Sequence, residues 1–405
     1  MTGFGFHAAP PPAHWINDPN ALIFADGRYR LFVQHRADAP EFVMTGWGRF
    51  SSDDLLHWEW DGEVLPADKT GFAYSGSITA ADSDKSADLE AWHTRHSAAI
   101  APRERQYVAR SSDGGKTWTA PVGPCGPQGR NARDPYVFVQ DDKRWMLIAH
   151  PCDWDEPAGS SYIALASQTA GGEWNAAIAL DLHIAPGTLC EVPSLVQFGD
   201  RWALFASFVD RSGDGAPSHS GYWLGRFDDD RFIADSPEPR RLDMGPDFYA
   251  AIPNLASHWP AGRILIGWAS SWATARTFVQ AGAGSGGAIS MPRIITLQDD
   301  AIHMAALPAA EHHARRLAWR SRATLTIASD SAVLSVKLEP GKIVATRQGT
   351  ANWNWNSDCR DEKIGGDTLL FFDNGLTELF IGGLTLTAMV PGSNHRIEWD
   401  APDGL

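Results

Sequence analysis

Three segments of this chain repeat one pattern, and the repeat restricts the fold more than any other feature. ALIFADGRYRLFVQ (21–34), YVFVQDDKRWMLIAH (136–150) and SLVQFGDRWALFASF (194–208) each pass from an apolar run through a two-residue turn of Asp-Gly, Asp-Asp or Gly-Asp type into a second apolar run. Each predicts a β-hairpin, because such turns supply the twist that a tight antiparallel connection needs. Between them lie SSDDLLHW (51–58), SSDGGKTW (111–118) and, more loosely, SQTAGGEW (167–174), whose tryptophans Trp58, Trp118 and Trp174 are 60 and 56 residues apart. That spacing suits four-stranded propeller blades with generous loops. In the second copy the Asp is expected to cap a turn and the Trp to pack between blades, a structural device that says little about chemistry.

Dividing roughly 300 residues by this period gives five blades, ending near ISMPRIITL (289–297). The stretch LPAAEHHARRLAW (307–319) reads as a short helical connector with His312 and His313 on a solvated face. Beyond it, ATLTIASDSAVLSVKLE and DTLLFFDNGLTELFIGGLTLTAMV alternate apolar and polar residues, as an antiparallel sheet or sandwich does. The expected fold is therefore all-β: a five-bladed β-propeller over 1–304, a helical linker over 305–320 and a small C-terminal β-sandwich over 321–405. AGAGSGGA (281–288) reads as a flexible loop between strands.

A formal net charge of −15, with no basic block, argues against a nucleic-acid or anionic-membrane partner and favours a neutral ligand. Cys125, Cys152, Cys190 and Cys359 form no C-x-x-C, so they read as free thiols and not as a zinc site or disulfide framework. The N-terminal stretch has neither a basic nor an apolar leader region, and no apolar run approaches about 18 residues. A soluble cytoplasmic protein is expected, although a mature secreted chain reads the same way.

Measured from the hairpin turns, three acids fall at matching places: Asp18, Asp134 and Glu191 precede Asp26, Asp142 and Gly199 by 8 residues each. A proline follows within two residues in every case (Pro19, Pro135, Pro193) and stiffens the backbone beside the carboxylate. Any one of these acids alone reads as a turn cap. In blades, matching positions surround one end of the central axis, so the three would meet in one pocket where repulsion and desolvation separate their pKa values. Paired carboxylates in a pocket of a chain with 18 Trp are the apparatus of glycoside hydrolysis. GxGxxG, GxxxxGK[ST] and GxSxG motifs are absent.

At these residues the sequence resembles glycoside hydrolase family 32, the β-fructofuranosidases. The matching segments are HWINDPN, GWGRFSSDDLLHW, AYSGS, ARDPYVF, CEVPSL, DMGPDFYA, ILIGWASSW and ISMPRIITL, in order from about residue 14 to 297. The resemblance implies a retaining hydrolase of terminal β-fructosyl residues that acts on sucrose or short fructo-oligosaccharides through a covalent fructosyl-enzyme. Transfer to a sugar acceptor and exo-hydrolysis of levan or inulin are its near variants. It implies Asp18 as nucleophile, Asp134 as transition-state stabiliser and Glu191 as acid/base. Asn17, Gln34, Phe42, Trp47, Tyr74, Ser75, Arg133, Tyr249 and Trp268 fall on its sugar-binding positions. Core packing between blades is the alternative for Trp47, Tyr74 and Trp268. No cofactor or metal is required.

Departures from the family pattern are Ala21 for Gly, Phe42 for Trp, Ile252-Pro253 in place of a Gln-bearing segment, and Val192 for the Cys that usually follows the acid/base. The C-terminal part is shorter than the family's sandwich, and an exposed sheet edge or apolar face there would favour a homodimer. Competing readings are an inverting arabinanase-type propeller, a sugar-binding propeller without turnover, and a sialidase, which needs a Tyr nucleophile and an arginine cluster.

Overall fold

The two-residue turns adopt the backbone their residues favour. Asp26 and Gly27 lie at φ 50° and 74°, Asp141 and Asp142 at 51° and 56°, and Gly199 at 64°. Positive φ at these places is what joins Ala25 to Arg28, Gln140 to Lys143 and Phe198 to Arg201 as the last pairs of three hairpins. The computed structural model of the chain describes residues 5–402, apart from 38, 44, 81–87, 154–158, 212–216, 255–262, 281–286 and 359–365. Most of the AGAGSGGA segment and Cys359 therefore lie outside the described residues.

Five antiparallel sheets follow one another along the chain, each beginning with its innermost strand: Trp15–Ala25, Phe72–Ala80, Arg133–Gln140, Thr188–Phe198 and Tyr249–Pro253. They are the five blades of a propeller. The second blade has three strands among the described residues, extended by a bridge between Val108 and Val122. The fifth blade packs back against the first, so that Ile16, Leu22, Ile252, Ile266 and Trp268 share one apolar core. The SSDGGKTW turn is held as expected: Asp113 accepts the Lys116 and Thr117 amides at 2.9 and 3.0 Å, and Trp118 packs edge-on against Phe32 of the first blade.

The fifth blade ends with Ala301–Ala306, and the expected helical linker is shorter than its composition indicates. Only Pro308–His313 is helical, as a 3-10 turn, and Arg315–Trp319 is a strand. Burial overrides helix propensity here, because Leu317 and Trp319 alternate inward into the sandwich core. The sandwich has a four-stranded sheet against the propeller and a five-stranded sheet outside. Its outer face carries Ser335, Lys337, Thr346 and Gln348 together with exposed Val333 and half-buried Val344.

The two parts are joined by a buried charge network. Arg293 of the fifth blade pairs with Asp243 at 2.7 Å and with Glu378 of the sandwich at 2.6 Å, all three essentially without solvent exposure. His7 bridges Glu378 and Asp373 at 3.0 and 2.9 Å, fastening the N-terminal segment into the same seam.

Each innermost strand carries a β-bulge near the same end of the propeller. The bulges lie between Ile16 and Pro19, Ala73 and Gly76, Arg133 and Tyr136, Glu191 and Ser194, and Tyr249 and Ile252. In each the inner strand has one residue more than its partner, which turns side chains out of the pleat toward the axis. Asp134, Val192 and Ala250, the first residues inside three of these bulges, have φ of 59°, 50° and 53°.

Candidate active site

The bulges bring Asp18, Asp134 and Glu191 together in a pocket of about 510 Å³. They do not share one register position, as the equal spacing from the hairpin turns predicts. Glu191 is the last paired residue before its bulge, Asp134 the first residue inside, and Asp18 the second. A bulge breaks the strict alternation of a strand, so acids one residue out of step still face the same space.

Asp18 is buried on the first strand, where its Oδ2 accepts the Ser75 hydroxyl at 2.8 Å and no donor among the described residues is in hydrogen-bonding geometry with Oδ1. Burial, reinforced by the Glu191 charge, pushes its carboxyl from the ordinary 3.8 to about 6, against the opposing pull of Ser75, Asn17 and Arg133. Asp134 takes the Val192 amide on Oδ2 at 3.0 Å. Burial also pushes the Asp134 carboxyl well above the usual carboxylate range; Arg133 opposes the rise, and Glu191 and Asp18 add to it.

Glu191 is held from two sides. Arg133 reaches its Oε1 through Nε at 3.0 Å and Nη2 at 2.5 Å, and the Tyr249 hydroxyl donates to Oε2. The other edge of the guanidinium binds both oxygens of buried Glu104 at 3.2 Å. Burial alone would lower the Arg133 pKa, but Glu191 and Glu104 hold it well above its ordinary value. A fixed cation thus stands among several carboxylates in a partly dry pocket.

Of the predicted binding residues, Asn17, Gln34, Phe42, Tyr74, Ser75 and Arg133 line the pocket. Asn17 accepts the Trp15 indole N–H at 2.8 Å, which fixes its amide. Both polar atoms of the Gln34 side chain are buried without a partner among the described residues, two hydrogen-bonding groups in a pocket wall. Tyr249 contributes its hydroxyl to Glu191 from behind that wall.

Trp47 and Trp268 do not line the pocket. Both are fully buried: Trp47 donates to the Tyr74 carbonyl at 3.0 Å, and Trp268 packs between Trp15 and Trp272. The expectation that they touch sugar is corrected to packing between blades, because a 0 % exposed indole has no face left for a ligand. The aromatic wall is Trp272, four residues after Trp268 in the same ILIGWASSW segment, with Phe42 set edge-on at 5.1 Å. Glu104, His96, Arg103, Asn131, Cys152 and Arg276 also line the pocket and were not anticipated. Trp272 shares the ILIGWASSW segment with Trp268, whereas Glu104 lies in no motif.

Residues 7–308 match the sequence pattern described as "Glycosyl hydrolases family 32 N-terminal domain". The chain belongs to glycoside hydrolase family 32. Similar family 32 sequences include a levanase of Bacillus subtilis, 29% identical over 65% of this chain and 40% of its own length. A sucrose-6-phosphate hydrolase of Zymomonas mobilis is 26% identical over 93% of this chain and 76% of its own, and one of Escherichia coli is 31% identical over 66% and 57%. The chain thus spans well under half of the levanase and somewhat over half of the E. coli protein. Among solved structures, the Bombyx mori family 32 β-fructofuranosidase superposes with a TM-score of 0.80 at 20% identity, covering 99% of this chain and 92% of its own. A Lactobacillus gasseri sucrose-6-phosphate hydrolase gives 0.80 at 21%, covering 99% and 91%. These likenesses show the family 32 fold of propeller and sandwich. No helix of the described residues is long and apolar enough to cross a membrane.

Proposed function

We propose that this protein is a retaining β-fructofuranosidase that releases terminal β-D-fructosyl units from sucrose or short fructo-oligosaccharides. The observation that carries the reading is the convergence of Asp18, Asp134 and Glu191, from three blades, on one pocket with an aromatic wall. Asp18 attacks the anomeric carbon of the fructosyl unit as Glu191 protonates the departing oxygen. The resulting ester is then opened by a water whose proton returns to Glu191, and two inversions give retention.

Asp134, anchored through Oδ2 by the Val192 amide, is placed to bind fructose ring hydroxyls through its other oxygen, bonds that strengthen as positive charge develops on the ring. Gln34 and Asn17 supply further polar contacts, and Trp272 with Phe42 presents the apolar face on which the leaving group rests.

A second reading concerns the leaving group. Exposed Arg276 and half-exposed Arg103 stand at the pocket, a placement that suits a phosphorylated sugar leaving group as well as a neutral one. Product analysis on sucrose, sucrose 6-phosphate, inulin and levan, with Asp18→Asn as control, tests both. Fructose or fructose-bearing product from the native protein alone supports the fructosidase reading, and the ratio of kcat/KM between the two sucroses decides the leaving group. No release from any of the four sinks the proposal.

A further inference from the structure

We infer that Thr94 is a positioning residue for this reaction, acting from the second blade through Asp134 and onward to Glu191; the inference rests on the fructosidase reading above. Thr94 and its cross-strand partner Gln106 are both fully buried on the second and third strands of that blade. The Thr94 hydroxyl accepts the Asp134 amide N–H at 3.0 Å and donates to Gln106 Oε1 at 2.8 Å. A hydroxyl has one proton, so its commitment to Gln106 turns a lone pair toward Asp134. Gln106 Nε2 in turn donates to the Ala132 carbonyl at 2.8 Å. The second blade therefore grips the third on both sides of Arg133, at the carbonyl before it and the amide after it.

Asp134 needs such a grip. It holds φ 59° without being glycine, in the bulge that aims its carboxylate, and a backbone in that region persists only where its surroundings hold it there. From Asp134 the path continues: its Oδ2 accepts the amide of Val192, a β-branched residue itself at φ 50° and the immediate neighbour of Glu191. One buried chain of hydrogen bonds thus runs from Gln106 to the backbone beside the acid/base, with Thr94 as the link that touches no sugar-binding atom.

Ordinary fastening between blades uses the same chemistry and supplies the control. Ser77 bonds the Pro135 carbonyl and the Val137 amide, each at 2.9 Å, joining the same two blades just beyond the acid. A purely structural role predicts that losing either hydroxyl has the same effect, whereas positioning predicts different effects.

The test is steady-state kinetics on sucrose for the native protein, Thr94→Val, Thr94→Ser and Ser77→Ala, with melting temperatures for all four. Thr94→Val should lower kcat by ~10–100-fold with KM changed by less than about 3-fold, as expected for a misplacement well under 1 Å. Thr94→Ser, which keeps the hydroxyl, should stay within about 3-fold of native, and Ser77→Ala should melt lower yet keep kcat within about 3-fold. Native kcat in Thr94→Val, or an equal kcat loss in Ser77→Ala, would overturn the inference. Should Thr94→Val not fold, Gln106→Leu releases the hydroxyl without removing it: a kcat loss of about 3–10-fold is expected, and no loss overturns the inference. A native protein that turns over no fructoside would instead sink the fructosidase reading, and this inference with it.

Discussion

Arg133 Nη2 lies 2.5 Å from Glu191 Oε1, between side chains that occupy the same bulge position of neighbouring blades, 58 residues apart. The same guanidinium holds buried Glu104, which His96 also contacts at 3.3 Å, so Arg133 is the one arginine that pairs with both carboxylates among the described residues. Replacing it with Ala leaves Glu191 without a cation and Glu104 with His96 alone. The expected cost is about 3 kcal/mol or more of stability, with a large loss of kcat. Denaturant unfolding at pH 7 checks the first, and Arg133→Lys, which lacks the two-edged fork, should recover only part of either.

Asp18 sets an acid limb. It attacks only when ionised, and its carboxyl is pushed up to about 6, so kcat/KM should fall as pH drops through that value. A profile flat from pH 7 to pH 4.5 would contradict this. Asp134 titrates beside it, so the observed midpoint belongs to the pair.

The same burial has a stability consequence of opposite sign. Between 3.8 and about 6 the folded state binds the Asp18 proton and the unfolded chain does not, so stability falls as pH rises through that window. Asp18→Asn should therefore stabilise the protein at pH 7 by on the order of 2 kcal/mol and by almost nothing at pH 4, while abolishing turnover. Paired thermal melts at the two pH values measure it.

Trp272 and Trp268 separate binding from packing. Trp272→Ala opens the pocket wall and should raise KM by about 10-fold with a modest change in melting temperature. Trp268→Ala empties a fully buried site and should cost about 3–5 kcal/mol. Kinetics and unfolding on both variants check the assignment.

Arg293 holds the seam between propeller and sandwich. Arg293→Ala strands Asp243 without its cation and leaves Glu378 with His7 alone, and should destabilise the chain by about 3–5 kcal/mol, lowering the melting temperature with little change in KM. An unaltered melting temperature would mean that the two parts hold together by other contacts.

What could be read from the sequence was local chemistry. Asp-Gly, Asp-Asp and Gly-Asp turns demand positive φ, and they announced the hairpins that place Asp18, Asp134 and Glu191 at one end of the propeller. The acids stand at three successive positions of their bulges instead of one, because Asp142 is the second residue of its turn where Asp26 and Gly199 are the first, and the first strand carries a second bulge between Pro19 and Ala21. Strand Arg315–Trp319 was hidden by good helix formers, and only the sandwich core shows why it extends. Trp268 and Trp272 lie in one motif, and burial alone tells which meets solvent. Glu104 and Thr94 sit on strands with no motif around them, and their parts in the site come entirely from the neighbouring blade.

The most direct test of the central claim is NMR of the first fructose product from sucrose, recorded before mutarotation, for native protein and Asp18→Asn. Retention with Asp18 as nucleophile requires β-fructofuranose from the native protein and none from the variant. Initial release of the α anomer, or native-level release by Asp18→Asn, would contradict it.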